Sequence, residues 1–226
     1  MTMQIAIRAK DGFVIASDTK VRTIGNECLW TTFTTPPSSS ASYVKHESKV
    51  KINIRHKIAI CTAGYSAPNT DAAKHLDDKL NEMESLPSDL CVFLESWAKS
   101  YSQQHADTYP SLLIVNPEIS CPHIFTMRVD KAKCVSDLRS ALHPDPTNPV
   151  TFWLQYFKCD DRPSIDACIK IAAAAILMGS LTSPISIGGL EIWKYTNDWQ
   201  RITDCDIDIL QNKFYSVKES IDSLIL

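Results

Sequence analysis

At 226 residues the chain is long enough to bury a substantial core, and its formal net charge of −3, with no run of Lys or Arg, leaves no electrostatic footprint for nucleic acid or an anionic membrane. Its longest apolar stretch, Ile171 to Met178, is too short to span a bilayer, and no basic region followed by an apolar core opens the sequence, so a soluble cytoplasmic protein is expected. The 8 cysteines are scattered and form no CxxC, which points to reduced thiols, and Cys121-Pro122-His123 without a second pair gives no metal site. No cofactor is implied.

Residues 3–9 alternate Met3, Ile5, Ile7 and Ala9 against Gln4, Ala6 and Arg8, and an apolar run resumes at Phe13 after the Asp11-Gly12 turn, which predicts a β-hairpin. Residues 24–46 break the pattern with a polar, proline-interrupted stretch around Trp30 to Ser40, expected as a surface excursion near the site. A second hairpin is predicted from Lys49–Ile54 and Lys57–Gly64, joined by Arg55-His56. Helical spacing follows over 69–84, with Ala72, Ala73, Leu76, Leu80 and Met83 on one side, and over 88–104, with Leu90, Phe93, Leu94, Trp97 and Tyr101.

Ser111–Asn116, His123–Asp130 and Lys133–Leu138 fit a three-strand meander. A proline-rich stretch from His143 to Pro149 and an aromatic segment around Trp153 and Phe157 precede a helix that Pro163-Ser164 would cap and that runs to Gly179. A hairpin turning at Asn197-Asp198 joins Ser186–Tyr195 to Gln200–Asp204, and Leu210, Phe214, Val217, Ile221 and Leu224 give a closing helix. Strand blocks interleaved with helix pairs imply two antiparallel sheets covered by helices, an α+β fold of four αββα layers. The expectation is a single domain over 1–226.

The most informative residue is Thr2. If Met1 is trimmed, Thr2 carries a hydroxyl and a free α-amine, a nucleophile with its own base. Asp18 follows sixteen positions later across the hairpin. The run Thr2 to Asp18 resembles the start of a mature proteasome β-subunit, without a gap. Ser48-Lys49-Val50-Lys51 and Cys61-Thr62-Ala63-Gly64 are similar to the lysine strand and Ala-Gly of the same family, at the interval found in its bacterial relative HslV, and Ala67 to Ala73 looks like its helix start. Ile187-Gly188-Gly189 resembles the glycine pair that opens the last hairpin.

The resemblance implies an N-terminal nucleophile hydrolase, stacked in homo-oligomeric rings, that hydrolyses peptides or unfolded protein as a threonine peptidase. An ATPase is a partner that the family likeness allows for. Thr2 Oγ would attack the scissile carbonyl and its own amine would take the proton, directly or through water. Lys49 would sit beside the hydroxyl, Asp18 would orient Lys49, and the Gly64 amide would donate to the oxyanion. By the same likeness Arg22 would meet substrate through its backbone, while Val21, Glu47, Thr62 and Ser66 would shape the pocket for the residue before the cleaved bond. Glu47 would favour a basic side chain there.

Taken singly, Asp18 could be a turn carboxylate and Lys49 a solvent-facing strand lysine like Lys51; it is their joint spacing that singles them out. Thr31-Thr32 and Thr34-Thr35 do not lead into such a hairpin and are assigned to a loop. The chain also departs from the family pattern. Between Leu138 and Pro149 it has Ser140 but no Gly-Ser-Gly segment, and it aligns Pro184 and Ile187 where an aspartate and a serine would support the threonine amine. A non-catalytic subunit that builds or regulates a ring, and an enzyme acting on another amide, are the alternatives.

Overall fold

Gly12 shows why the first hairpin closes where it does: a Cβ at this position would fall 1.9 Å from the Tyr195 carbonyl oxygen, so only glycine lets the turn pass its neighbour. In the computed structural model, which describes residues 2–24, 42–63, 66–105, 110–118, 123–137, 139–142, 163–182 and 187–225, this turn joins β1 (Gln4–Arg8) to β2 (Phe13–Ser17). The pairing is antiparallel, with Ile5 opposite Ala16 and Ile7 opposite Val14. Both sides of β1 and β2 are buried, the mark of strands inside a layered sandwich.

The other strands are β3 (Lys20–Ile24), β4 (Ser42–His46), β5 (Val50–Ile52), β6 (Ala59–Ala63), β7 (Ser111–Asn116), β8 (His123–Arg128), β9 (Lys133–Asp137), β10 (Arg139–Leu142), β11 (Glu191–Tyr195) and β12 (Trp199–Arg201). One five-stranded sheet has the order β10-β1-β2-β11-β12, a second has β5-β6-β7-β8-β9, and β3 and β4 pair separately. The helices are α1 (Ser66–Asn81), α2 (Leu90–Gln104), α3 (Ile165–Thr182) and α4 (Asp204–Ile225).

Strand periodicity sorts the side chains into three apolar layers. Ala6, Phe13 and Ile15 face Ala59, Cys61, Leu113 and Val115 between the sheets. Met3, Ile5, Ile7, Val14 and Ala16 point the other way, onto Cys168, Ala172 and Ile176 of α3. Ile58, Ile60, Leu112 and Ile114 pack under Leu76 and Leu80 of α1 and Leu94 and Trp97 of α2. Each fully buried Leu, Ile or Phe contributes roughly 1.5–3 kcal/mol, so these layers dominate stability. The result is a four-layer αββα sandwich.

Helix ends have local causes. Asp89 caps α2, accepting from the Val92 amide at 3.0 Å, and Ser164 Oγ accepts from the Ala167 amide at 3.3 Å at the start of α3, as its sequence predicts. The Arg55-His56 turn closes the other end of α1: Arg55 donates to the Asn81 carbonyl at 2.8 Å, and His56 Nε2 lies 3.0 Å from the Leu80 carbonyl. By length and composition α3 could cross a membrane, at a mean hydropathy of 1.6 over 18 residues, longer than the apolar run suggests. Its apolar face packs on the first sheet, and that is what the hydrophobicity serves here.

Three expectations shift. The ends of the 24–46 excursion are β3 and β4, paired from Lys20↔His46 to Ile24↔Ser42, whereas its middle and the segment around Trp153 lie outside the described residues. The meander exists as β7–β9, but the chain then crosses to the opposite sheet, where β10 pairs with β1 and sets Ser140 opposite Ala6. Helix α1 begins at Ser66 rather than residue 69, and α4 begins at Asp204 rather than residue 210.

Candidate active site

The site is built where the β1–β2 ladder runs out. One pair beyond Gln4↔Ser17, the Asp18 amide donates to the Met3 carbonyl at 3.0 Å, and the Met3 amide donates to Asp18 Oδ1 at 2.6 Å. Asp18 is thereby fixed through backbone and side chain together. Thr2 stands one residue further on and is only 4% exposed.

Lys49 reaches this point from the second sheet. Its carbonyl accepts from the Thr62 amide at 3.1 Å, which anchors the segment entering β5. Its Nζ donates to Thr2 Oγ1 at 3.1 Å, to Asp18 Oδ2 at 2.8 Å and to the Lys20 carbonyl at 2.9 Å. An ammonium has three N–H donors, and each meets an acceptor. The Lys49 and Asp18 side chains are 9% and 0% exposed, so this is an ion pair almost wholly removed from water.

Burial dominates the electrostatics of both partners. It pushes the Asp18 carboxyl above its ordinary range, against the pull of Lys49 and the Met3 amide. It lowers the Lys49 ammonium, against the pull of Asp18, Glu47 and Glu191. The three acceptors favour the charged form, and with every N–H engaged Lys49 offers positive charge to the Thr2 oxygen rather than a lone pair for its proton. Were the bond before Thr2 cut, its α-amine would stand beside the hydroxyl by covalent connection.

The remaining expected residues fall around this centre. Val21 is buried in β3, where Arg22 pairs in the backbone ladder with Val44. Glu47 is exposed, and its amide donates to the Thr19 carbonyl at 2.8 Å. Thr62 is half-buried in β6, its carbonyl accepting from the Gln4 side-chain amide. Ser66 opens α1, and Gly64 lies outside the described residues, as does Pro184. Gly188 meets the site through its carbonyl, which accepts from the Thr19 and Lys20 amides at 3.1 and 2.9 Å. Gly189 has φ +69° and a Cβ there would fall 2.1 Å from Thr19 Oγ1, so glycine is required twice over. Ile187 is 1% exposed and offers an apolar side chain where a serine was sought.

Glu191, and the contact it makes with Ser48, escape the sequence reading. Ser48 Oγ donates to Glu191 Oε1 at 2.8 Å, and Glu191 is 2% exposed. Their signal was a carboxylate at the inward position of a strand, because Glu191, Trp193 and Tyr195 alternate toward the other sheet. Among the described residues no group of His, Cys, Asp and Glu is disposed to hold a metal ion. Cys61, Cys134 and Cys168 are buried and in no disulfide, as small hydrophobes in the core.

No protein-family model and no curated protein matches the sequence. Solved structures do match the fold. An Anbu (Gly-1) mutant from Hyphomicrobium sp. strain MC1 superposes with a TM-score of 0.72 at 12% identity, over 100% of this chain and 96% of that one. Anbu (ancestral beta-subunit) from Yersinia bercovieri gives 0.71 at 13% identity, over 98% and 96%, and a further Anbu structure from Hyphomicrobium sp. strain MC1 gives 0.69 at 11%, over 99% and 96%. These findings correct the expected membership of the proteasome β-subunit and HslV family. The similar structures are Anbu proteins, and at 11–13% identity without a matching family model, motifs at strand ends do not carry a family assignment. What the chain shares with these proteins is the N-terminal nucleophile hydrolase fold.

Proposed function

We propose that the chain is a threonine-type amide hydrolase acting on peptides. Once the bond before Thr2 is cut, Thr2 Oγ attacks the carbonyl carbon, the Thr2 amine takes the hydroxyl proton, and Lys49 holds the negative charge developing at the hydroxyl oxygen. The amine then passes the proton to the leaving nitrogen, and water attacks the acyl ester to regenerate Thr2. The observation that carries this reading is the Lys49 ammonium bridging Thr2 Oγ1 and Asp18 at 3.1 and 2.8 Å, with the Lys49 and Asp18 side chains 9% and 0% exposed. A homo-oligomeric assembly, unfolded protein as substrate and delivery by an ATPase extend the proposal, on the ground that one Anbu structure, an ancestral β-subunit, shares the fold.

Intact-mass measurement tests the first step, since loss of Met1 is required. A threonine-directed β-lactone should then add one inhibitor mass at Thr2 and none in Thr2→Ala. Retention of Met1 would sink the enzymatic reading. The second reading, a non-catalytic assembly subunit, is favoured by buried Ile187 beside the glycine pair, and a folded protein with free Thr2 that resists labelling would establish it.

A further inference from the structure

Glu191 has no part in the reaction just described, yet it is a buried carboxylate beside it. Its carboxylate is 1% exposed. Oε1 accepts from Ser48 Oγ at 2.8 Å and from the Trp193 indole N–H at 2.9 Å, with Arg201 Nε 3.6 Å away. Oε2 is buried and has no hydrogen-bond partner among the described residues. Arg201 is 51% exposed and also bonds Asp204 at 3.2 Å, so it neutralises Glu191 only in part. Accepting from Ser48 and Trp193 needs one oxygen, which a glutamine would supply without the cost of burying a charge. The charge itself calls for a role.

Its surroundings supply one. Register places Gln4, Ser17 and Glu191 side by side across β1, β2 and β11, all turned toward the second sheet. Ser48, the residue that Glu191 holds, immediately precedes Lys49. We propose that Glu191 is a positioning residue for the nucleophile: through Ser48 it fixes the segment that carries Lys49, and it sets a buried carboxylate one residue away from that ammonium. The proposal rests on the Thr2 hydrolase reading for its consequence, but not for its electrostatics. The charged groups facing Lys49 are Asp18 at the end of β2, Glu47 on its own segment and Glu191 on β11, all three of which favour its protonation. Burial pushes the Cys61 thiol of β6 up, and Glu191 adds to the rise.

The two effects separate by substitution. Glu191→Gln keeps the acceptor for Ser48 and removes the charge, whereas Ser48→Ala keeps the charge and removes the tether. Lys49 is titrated by NMR with lysine labelled at Cε, assigned by Lys49→Arg, alongside the pH dependence of Thr2 acylation by a β-lactone in single-turnover kinetics. In Glu191→Gln the Lys49 titration should fall by about half a pH unit or more, a roughly threefold loss of proton affinity, and the alkaline limb of acylation should move with it. Ser48→Ala should slow acylation about tenfold with the titration in place. Unmoved titration in Glu191→Gln, or a wild-type rate in Ser48→Ala, would overturn the corresponding half of the proposal. Should Glu191→Gln not fold, Arg201→Ala replaces it: removing the partial counter-charge should raise the Lys49 titration, and no change there would refute the role of the charge. A wild-type protein that does not acylate would refute the hydrolase reading, and the lysine titration would still decide whether Glu191 governs Lys49.

Discussion

Two lysines two residues apart are each paired with an aspartate, and they do different work. Lys51, within β5, meets Asp77 of α1 at 3.1 Å, with side chains 45% and 11% exposed. Asp77 also accepts from Asn53 Nδ2 at 2.7 Å, so the group ties a sheet to its covering helix. Lys49 meets Asp18 at 2.8 Å with side chains 9% and 0% exposed, and spends another donor on a hydroxyl. An exposed pair gains little because water solvates its ions almost as well. A buried pair gives up that solvation, so its persistence points to chemistry rather than to stability.

Substitutions can break this comparison. The largest effect is expected from Lys49→Ala: β-lactone acylation of Thr2 should fall on the order of 10⁴-fold, as when the orienting aspartate of a catalytic triad is replaced. Urea unfolding should show a loss of about 3–5 kcal/mol, because Asp18 is left buried without a counter-ion. The double variant Asp18→Leu/Lys49→Met should be as inactive, yet within about 1 kcal/mol of the parent or more stable, since both desolvation costs disappear. A double variant less stable than Lys49→Ala would show that the pair is structural after all.

The pH dependence sharpens the contrast. Asp18 has its folded pKa raised by burial, so the native state binds that proton more tightly than the unfolded chain, and stability from this group rises as pH falls between the raised and ordinary values. Lys49 is lowered by burial, so stability from it rises as pH climbs between the lowered and ordinary values. The cost of the pair is therefore greatest between the two titrations. The stability difference between the double variant and the parent, followed by denaturation across pH, should favour the double variant most near neutrality and narrow toward both extremes. The smallest effect is expected from Lys51→Ala: under about 1 kcal/mol, reduced further by salt, with acylation within roughly twofold of the parent. An acylation loss matching that of Lys49→Ala would erase the distinction.

The meeting of Thr2 and Asp18 could be read in advance because its placement is local, whereas Lys49 was reached only through the family resemblance. The span from Thr2 to Asp18 is one hairpin, and alternation with an Asp11-Gly12 turn sets which residues meet. The partners that went unread are joined by long-range pairing. Ser48 and Glu191 are 143 residues apart in sequence, and the hydrogen bond between them exists only because the sheets stack. Strands β3, β4 and β10 were missed for a related reason. Their sequences, such as KVRTI and RSAL, carry no clean alternation and are strands by virtue of the ladder beside them. The Lys49–Lys51 contrast was legible in direction, but its cause, burial, is a tertiary property.

The third donor of Lys49 goes to the carbonyl of Lys20, which opens β3, while the amide of Glu47, just past β4, donates to the Thr19 carbonyl. Both legs of the 24–46 excursion are thus clamped at its base, and five rungs of ladder separate that base from whatever joins Ile24 to Ser42. Chain added or removed at the far end would alter loop closure only as the logarithm of its length. The number of residues between the aspartate and the lysine is then free to drift over evolutionary time while the distance between their charges stays put, and a search keyed to sequence spacing would lose sight of such a pair long before the fold did.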